Sequence, residues 1–205
     1  METNQYLIGA MMSDSQRREQ LIDTAIELFA KHGFHATGID RILAVSGVSK
    51  KTLYRHFRSK DELILAALRK YDGLFRNNFM RSVESRATAP RDRLLALFDV
   101  ARDWFEDNSF YGCMFINAVG EFSDPDTPVR HQCKAFKSMI RDYIEQQCRG
   151  MGAPDPTGLA EELAMVLEGA TVTAQVSQNR ARAAEIAKTA AVALIDKAME
   201  GAADG

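Results

Sequence analysis

The stretch Ser46-Gly47-Val48-Ser49-Lys50-Lys51-Thr52-Leu53-Tyr54-Arg55-His56-Phe57 decides how this chain is read. Ser46-Gly47 stops one helix and opens a turn, and Ser49 is an N-cap for a new helix starting at Lys50. Val48, Leu53 and Phe57 recur at helical spacing and give that short helix an apolar face, expected to rest on Ile26, Phe29, Phe34, Ile42 and Leu43. Lys50, Lys51, Thr52, Tyr54, Arg55 and His56 are then expected to point outward. That set is all hydrogen-bond donors with no acid, which suits phosphate oxygens. Lys50 and Lys51, near the helix start, are placed to reach guanine acceptors, and Thr52 a thymine methyl.

Outward from this stretch the chain reads as helices only. Ser13 and Gln16 form a capping-box signature before Leu21, Ile22, Ala25, Ile26, Leu28 and Phe29, which stop at Gly33. Thr37 and Asp40 repeat the capping pattern ahead of Ile39, Ile42 and Leu43. Ser59-Lys60-Asp61-Glu62 opens a longer helix that breaks near Ala89-Pro90. Segments 91–107, 112–122, 128–149, 158–178 and 180–200 read as further helices separated by turn-rich stretches. The expected fold is all-α with about nine helices: a flexible arm over 1–12, a three-helix DNA-binding domain with a helix-turn-helix over 13–58, a helical ligand-binding and dimerisation domain over 59–200, and a flexible tail over 201–205. Thr37 and Lys60 sit at neighbouring helix starts where phosphates would lie.

Charge supports a nucleic-acid face. The 205 residues carry a net charge of −2, yet residues 31–60 hold seven Lys/Arg against one Asp, and the rest of the chain 19 against 27. The positive charge is segregated. Cys113, Cys133 and Cys148 are odd in number and not tightly spaced, which suits reduced thiols in a cytoplasmic protein. No apolar run approaches the ~20 residues of a membrane span. No nucleophile elbow, phosphate loop or metal-ligand spacing is present, so neither an enzyme, a cofactor nor a metal is expected.

Residues 37–63 resemble the DNA-binding segment of the tetracycline-repressor (TetR) family of transcription regulators, through Gly47-Val48-Ser49, Thr52-Leu53-Tyr54, His56-Phe57, Ser59-Lys60 and Leu63. The resemblance implies DNA contacts by Thr37, Ser49, Lys50, Lys51, Thr52, Tyr54, His56 and Lys60, with Tyr54 and Lys60 mainly on phosphates; Arg55 joins them by charge. Leu43 stands where the family often has alanine, and Lys51 where it often has glycine, which places a long cation near the bases.

A lone helix-turn-helix reads few base pairs, so a homodimer with recognition helices about 34 Å apart on a palindromic operator is expected. Leu163, Val166, Leu167, Ala170, Ala187, Ala191 and Leu194, on the last two helices, are the candidate dimer surface. Phe79, Trp104, Phe105, Cys113, Met114, Asn117, Glu121, Phe136, Met139 and Tyr143 are the candidate small-molecule pocket. Cys113, at a helix start, is either a thiol sensor or a buried free cysteine. The resemblance implies a ligand-responsive regulator, a repressor by family habit, released from DNA when the pocket fills. A helical small-molecule-binding protein with only non-specific nucleic-acid affinity fits the same residues.

Overall fold

A computed structural model describes residues 13–200, and among them the chain is helical with no strand. The arm expected over 1–12 and the tail over 201–205 lie outside the described residues. Ten α-helices follow one another among the described residues: α1 (Asp14–His32), α2 (Ile39–Ser46), α3 (Lys50–His56), α4 (Lys60–Phe75), α5 (Arg81–Arg86), α6 (Pro90–Glu106), α7 (Met114–Glu121), α8 (Pro128–Gly150), α9 (Pro156–Val176) and α10 (Arg180–Glu200). A π-helical turn, Arg76–Met80, lies between α4 and α5. If 60–86 is taken as one interrupted helix, nine remain.

The helix ends follow local chemistry. Ser13 and Gln16 form the reciprocal capping box of α1, with Gln16 N donating to Ser13 Oγ at 3.2 Å and Ser13 N to Gln16 Oε1 at 2.7 Å. Ser49 Oγ accepts from Thr52 N to cap α3. Ahead of α4, Ser59 Oγ accepts from Glu62 N while the Glu62 carboxylate reaches back to Arg58 N. One expected cap is replaced: Gly38 occupies the N-cap of α2, because the Thr37 hydroxyl turns back to Leu28 O and Gly33 O, carbonyls at the end of α1. Gly47 closes α2 at φ 67°, a left-handed conformation that glycine takes without steric cost.

The chain forms two compact units. Among the described residues the first holds 13–73 with 114–133, and the second 74–113 with 134–200. Segment 114–133, which contains α7, therefore belongs with the helix-turn-helix. The core of the first unit joins Leu21, Ile22, Ala25, Phe29, Phe34, Ile42, Leu53, Phe57, Leu63 and Phe115, all nearly or fully buried. In the second unit α10 packs on both α9 and α6, and the small residues Ala160 and Ala174 of α9 and Ala184 and Ala191 of α10 are buried.

Candidate DNA-binding face and effector cavity

Helix α3 turns Lys50, Lys51, Tyr54 and Arg55 outward as expected, but Thr52 and His56, also expected outward, are covered, as is Thr37 ahead of α2. Val48, Leu53 and Phe57 are buried, with the guanidinium of Arg18 5.4 Å from the Phe57 ring centroid. Lys50, Lys51, Tyr54 and Arg55 are exposed. Thr52 is not outward: it is buried, and its hydroxyl lies 2.9 Å from Ser49 Oγ, because the first turn of α3 lies against the core on that side. Thr37 is likewise fully buried. His56 is mostly covered, and Lys60 Nζ donates to His35 O at 3.2 Å.

The outward cations also meet acids from other helices. Lys50 Nζ lies 3.5 Å from Asp40 Oδ1 at the start of α2. Asp14, in the first turn of α1, pairs with Arg55 and lies 3.2 Å from His56 Nε2. That approach is not a hydrogen bond, since Nε2 is buried with no hydrogen-bond partner among the described residues. Burial first, then the positive charges of Arg55 and Arg18, holds the His56 imidazole below its ordinary pKa. Asp40 and Asp14 thus offset part of the positive charge on this face. Such exposed pairs are weak enough for a polyanion to displace.

The turn joining α1 to α2 is held from α7. Glu121 accepts from Phe34 N at 2.8 Å and from His35 N at 2.6 Å, and its Oε2 lies 3.1 Å from His35 Nδ1. The His35 ring stacks on Phe122 at 5.1 Å, and Arg130 donates to Phe122 O. Glu121, expected in the pocket, instead clamps the entrance to the helix-turn-helix. The spacing of Cys113, Asn117 and Glu121 along one helix gave no sign of this, because the partners are backbone amides 86 and 87 residues away in sequence.

The second unit contains a cavity of about 40 Å³. Of the expected pocket residues, Phe79, Trp104, Cys113 and Phe136 line it; Phe75, Ala101, Lys137, Ile140, Leu167, Glu168 and Thr171 complete it. Phe105 is buried beside Phe110, while Met139 and Tyr143 are half-buried outside the lining. The Tyr143 hydroxyl is buried without a hydrogen-bond partner among the described residues, and burial raises its pKa. Met114 and Asn117 belong to the first unit. Phe75 immediately precedes the π-helical turn and Phe79 lies within it, a feature frequent at functional sites. Cys113 and Cys148 are buried free thiols, and burial pushes Cys148 up to about 11.

The candidate dimer residues mostly serve the chain's own core. Leu163, Leu167, Ala170, Ala187 and Ala191 are buried within the single chain, and Val166 and Leu194 are half-buried. The apolar side chains left open on α9 are Met165 (75%), Val172 (44%) and Val176 (83%), which with exposed Gly169 recur every three or four residues, and Ile186 (55%) is open on α10.

Among the described residues no helix is long and apolar enough to cross a membrane, and no group of three or more His, Cys, Asp or Glu is placed to hold a metal ion. Residues 21–67 match the family profile described as bacterial regulatory proteins, tetR family, and residues 90–190 match Tetracyclin repressor-like, C-terminal domain. The chain is 39% identical over 140 residues to the HTH-type transcriptional activator FasR of Mycolicibacterium smegmatis, covering 67% of this chain and 63% of FasR. The matched part thus spans less than two thirds of that relative. It is 26% identical over 180 residues to the HTH-type transcriptional repressor ComR of Escherichia coli, covering 84% and 86% of the two chains. The crystal structure of a TetR-family transcriptional regulator from Streptomyces coelicolor superposes with a TM-score of 0.83 at 29% identity, over 90% of this chain and 96% of that one. These relatives are named as regulators of transcription, not as enzymes. With both its DNA-binding and C-terminal segments matched, the chain belongs to the TetR family of DNA-binding transcriptional regulators.

Proposed function

We propose that the protein is a cytoplasmic homodimeric repressor that binds a palindromic operator and leaves it when a small molecule occupies the cavity of the second unit. The observation that carries the reading is the α3 face, where Lys50, Lys51, Tyr54 and Arg55 stand exposed above a buried Val48, Leu53 and Phe57 brace. Tyr54 and Lys60 hold phosphates, Lys50 and Lys51 reach base edges, and Ser49 fixes the start of the helix.

Dimerisation is supported by the open stripe of Met165, Gly169, Val172 and Val176, an apolar face on a helix whose opposite side already serves the core. Its glycine permits close approach of a symmetry-related helix. Repression follows the sign in the name of ComR, which the chain matches over most of its length. Ligand release is supported by the aromatic cavity and by the sequence position of α7, which begins one residue after the cavity-lining Cys113 and ends in Glu121, the clamp on the helix-turn-helix entrance.

Selection of bound sites from randomised duplex DNA tests the reading. A palindrome with half-sites about one helical turn apart is expected. Absence of any enriched sequence would leave a basic face with non-specific affinity only.

A further inference from the structure

We propose that the effector cavity takes a compact monocyclic phenol: one aromatic ring bearing a neutral hydroxyl. The inference rests on the effector reading above and narrows it to a ligand class. Three properties of the walls set that class.

The first is the ring geometry. Phe75 stacks on Phe79 at 4.8 Å and 15°, and meets Trp104 at 5.3 Å and Phe136 at 5.4 Å, both edge-on at 71°. A further aromatic ring extends this alternation of stacked and edge contacts, gaining quadrupole terms that an alkyl chain lacks. The second is size. The cavity holds about 40 Å³, whereas a dry cavity of about 150 Å³ accommodates benzene. One ring enters by displacing a few side chains; a long acyl chain or a polycyclic molecule needs the helices themselves to part.

The third is polarity. Lys137 Nζ lies 3.2 Å from Glu168 Oε1, and these are the charged side chains of the lining. The Thr171 hydroxyl already donates to Leu167 O at 2.9 Å. An aryl carboxylate gains Lys137 but meets Glu168 as a like charge, and an aryl ammonium has the reverse conflict. A hydroxyl donates to the Glu168 carboxylate and accepts from the Lys137 ammonium, and so satisfies both without separating them.

Trp104 is the single tryptophan of the chain and lines the cavity, so its fluorescence reports occupancy. The full-length protein is titrated with p-cresol, toluene, benzoate and decanoate, with N-acetyltryptophanamide as the control for collisional quenching. A saturable change is expected for p-cresol at a concentration about tenfold below that for toluene, the ratio of a charge-assisted hydrogen bond. Benzoate and decanoate are expected to bind more weakly still. Glu168→Gln and Lys137→Met should each weaken p-cresol severalfold while leaving toluene unchanged, with helical content checked by circular dichroism. Equal p-cresol and toluene affinities would overturn the hydroxyl assignment. Tighter saturable binding of benzoate or decanoate would overturn the class while keeping the cavity as an effector site. Saturation by none of the four would overturn the effector site itself.

Discussion

The Glu121 carboxylate accepts hydrogen bonds from the backbone amides of both Phe34 and His35, at 2.8 and 2.6 Å, and so ties the last turn of α7 to the loop that enters the helix-turn-helix. Lys60, a candidate phosphate contact, bonds to the carbonyl of the same His35. Glu121→Ala leaves two amides without their acceptor, and a charge-assisted hydrogen bond to a partly buried donor contributes about 1.5–3 kcal/mol. Urea unfolding should show a loss of that order. Operator affinity should fall more than for a surface variant such as Glu106→Ala, and Glu121→Gln should recover part of both.

Two glycines with positive φ should respond differently to alanine. Gly47 at φ 67° has open space where a side-chain carbon would stand, so Gly47→Ala should cost only the backbone penalty, about 1–2 kcal/mol, and Gly47→Asn less. Gly33 at φ 83° would place the same carbon 2.9 Å from Glu121 Oε1, so Gly33→Ala should cost more and should also weaken DNA binding. Thermal unfolding of the three variants checks the order.

Asp14 occupies the charge of Arg55 in the free protein. Asp14→Asn should tighten binding to DNA of any sequence severalfold, and should steepen the salt dependence by about one counterion. Tyr54→Phe and Lys60→Ala should weaken binding to all sequences, whereas Lys51→Ala should relax preference at one or two base positions, about 1–3 kcal/mol each. Anisotropy titrations on selected and scrambled duplexes separate these outcomes.

His56 binds its proton less readily folded than unfolded, because burial and the neighbouring Arg55 and Arg18 disfavour the cation. The unfolded chain therefore takes the proton first as pH falls below the ordinary histidine value of about 6.5, and stability is lost there; above that pH the group contributes nothing. Urea midpoints at pH 7.5 and 5.5 should differ less in His56→Gln than in the unsubstituted protein.

The last two helices separate fold from assembly. Val172→Glu should leave helical content unchanged and shift the light-scattering mass towards the monomer. Ala191→Glu, at a fully buried position, should instead unfold the second unit.

The helices and the helix-turn-helix were legible because they rest on local chemistry: a capping box at Ser13, a cap at Ser49, a left-handed glycine at 47, and apolar residues at helical spacing. The inward turn of Thr37 and Thr52 was not, since a hydroxyl satisfied by a carbonyl or a neighbouring hydroxyl has the same sequence signature as one facing DNA. The acids opposing the cations, Asp14 and Asp40, were hidden because they come from α1 and α2 rather than from α3 itself. On α9 the apolar pattern runs almost all round the helix, so Leu163 and Leu167 could not be told from Met165 and Val172 until α6 and α10 took their sides. Lys137 and Glu168 meet across two helices, a pairing that sequence spacing does not reveal.

The most direct test is a fluorescence-anisotropy titration of a selected palindromic duplex with the purified protein, in excess non-specific DNA and at two salt concentrations. Two protomers per duplex, with affinity that survives the competitor and declines evenly with salt, is the predicted result. Binding that the competitor abolishes at both salt concentrations would contradict a specific dimeric regulator.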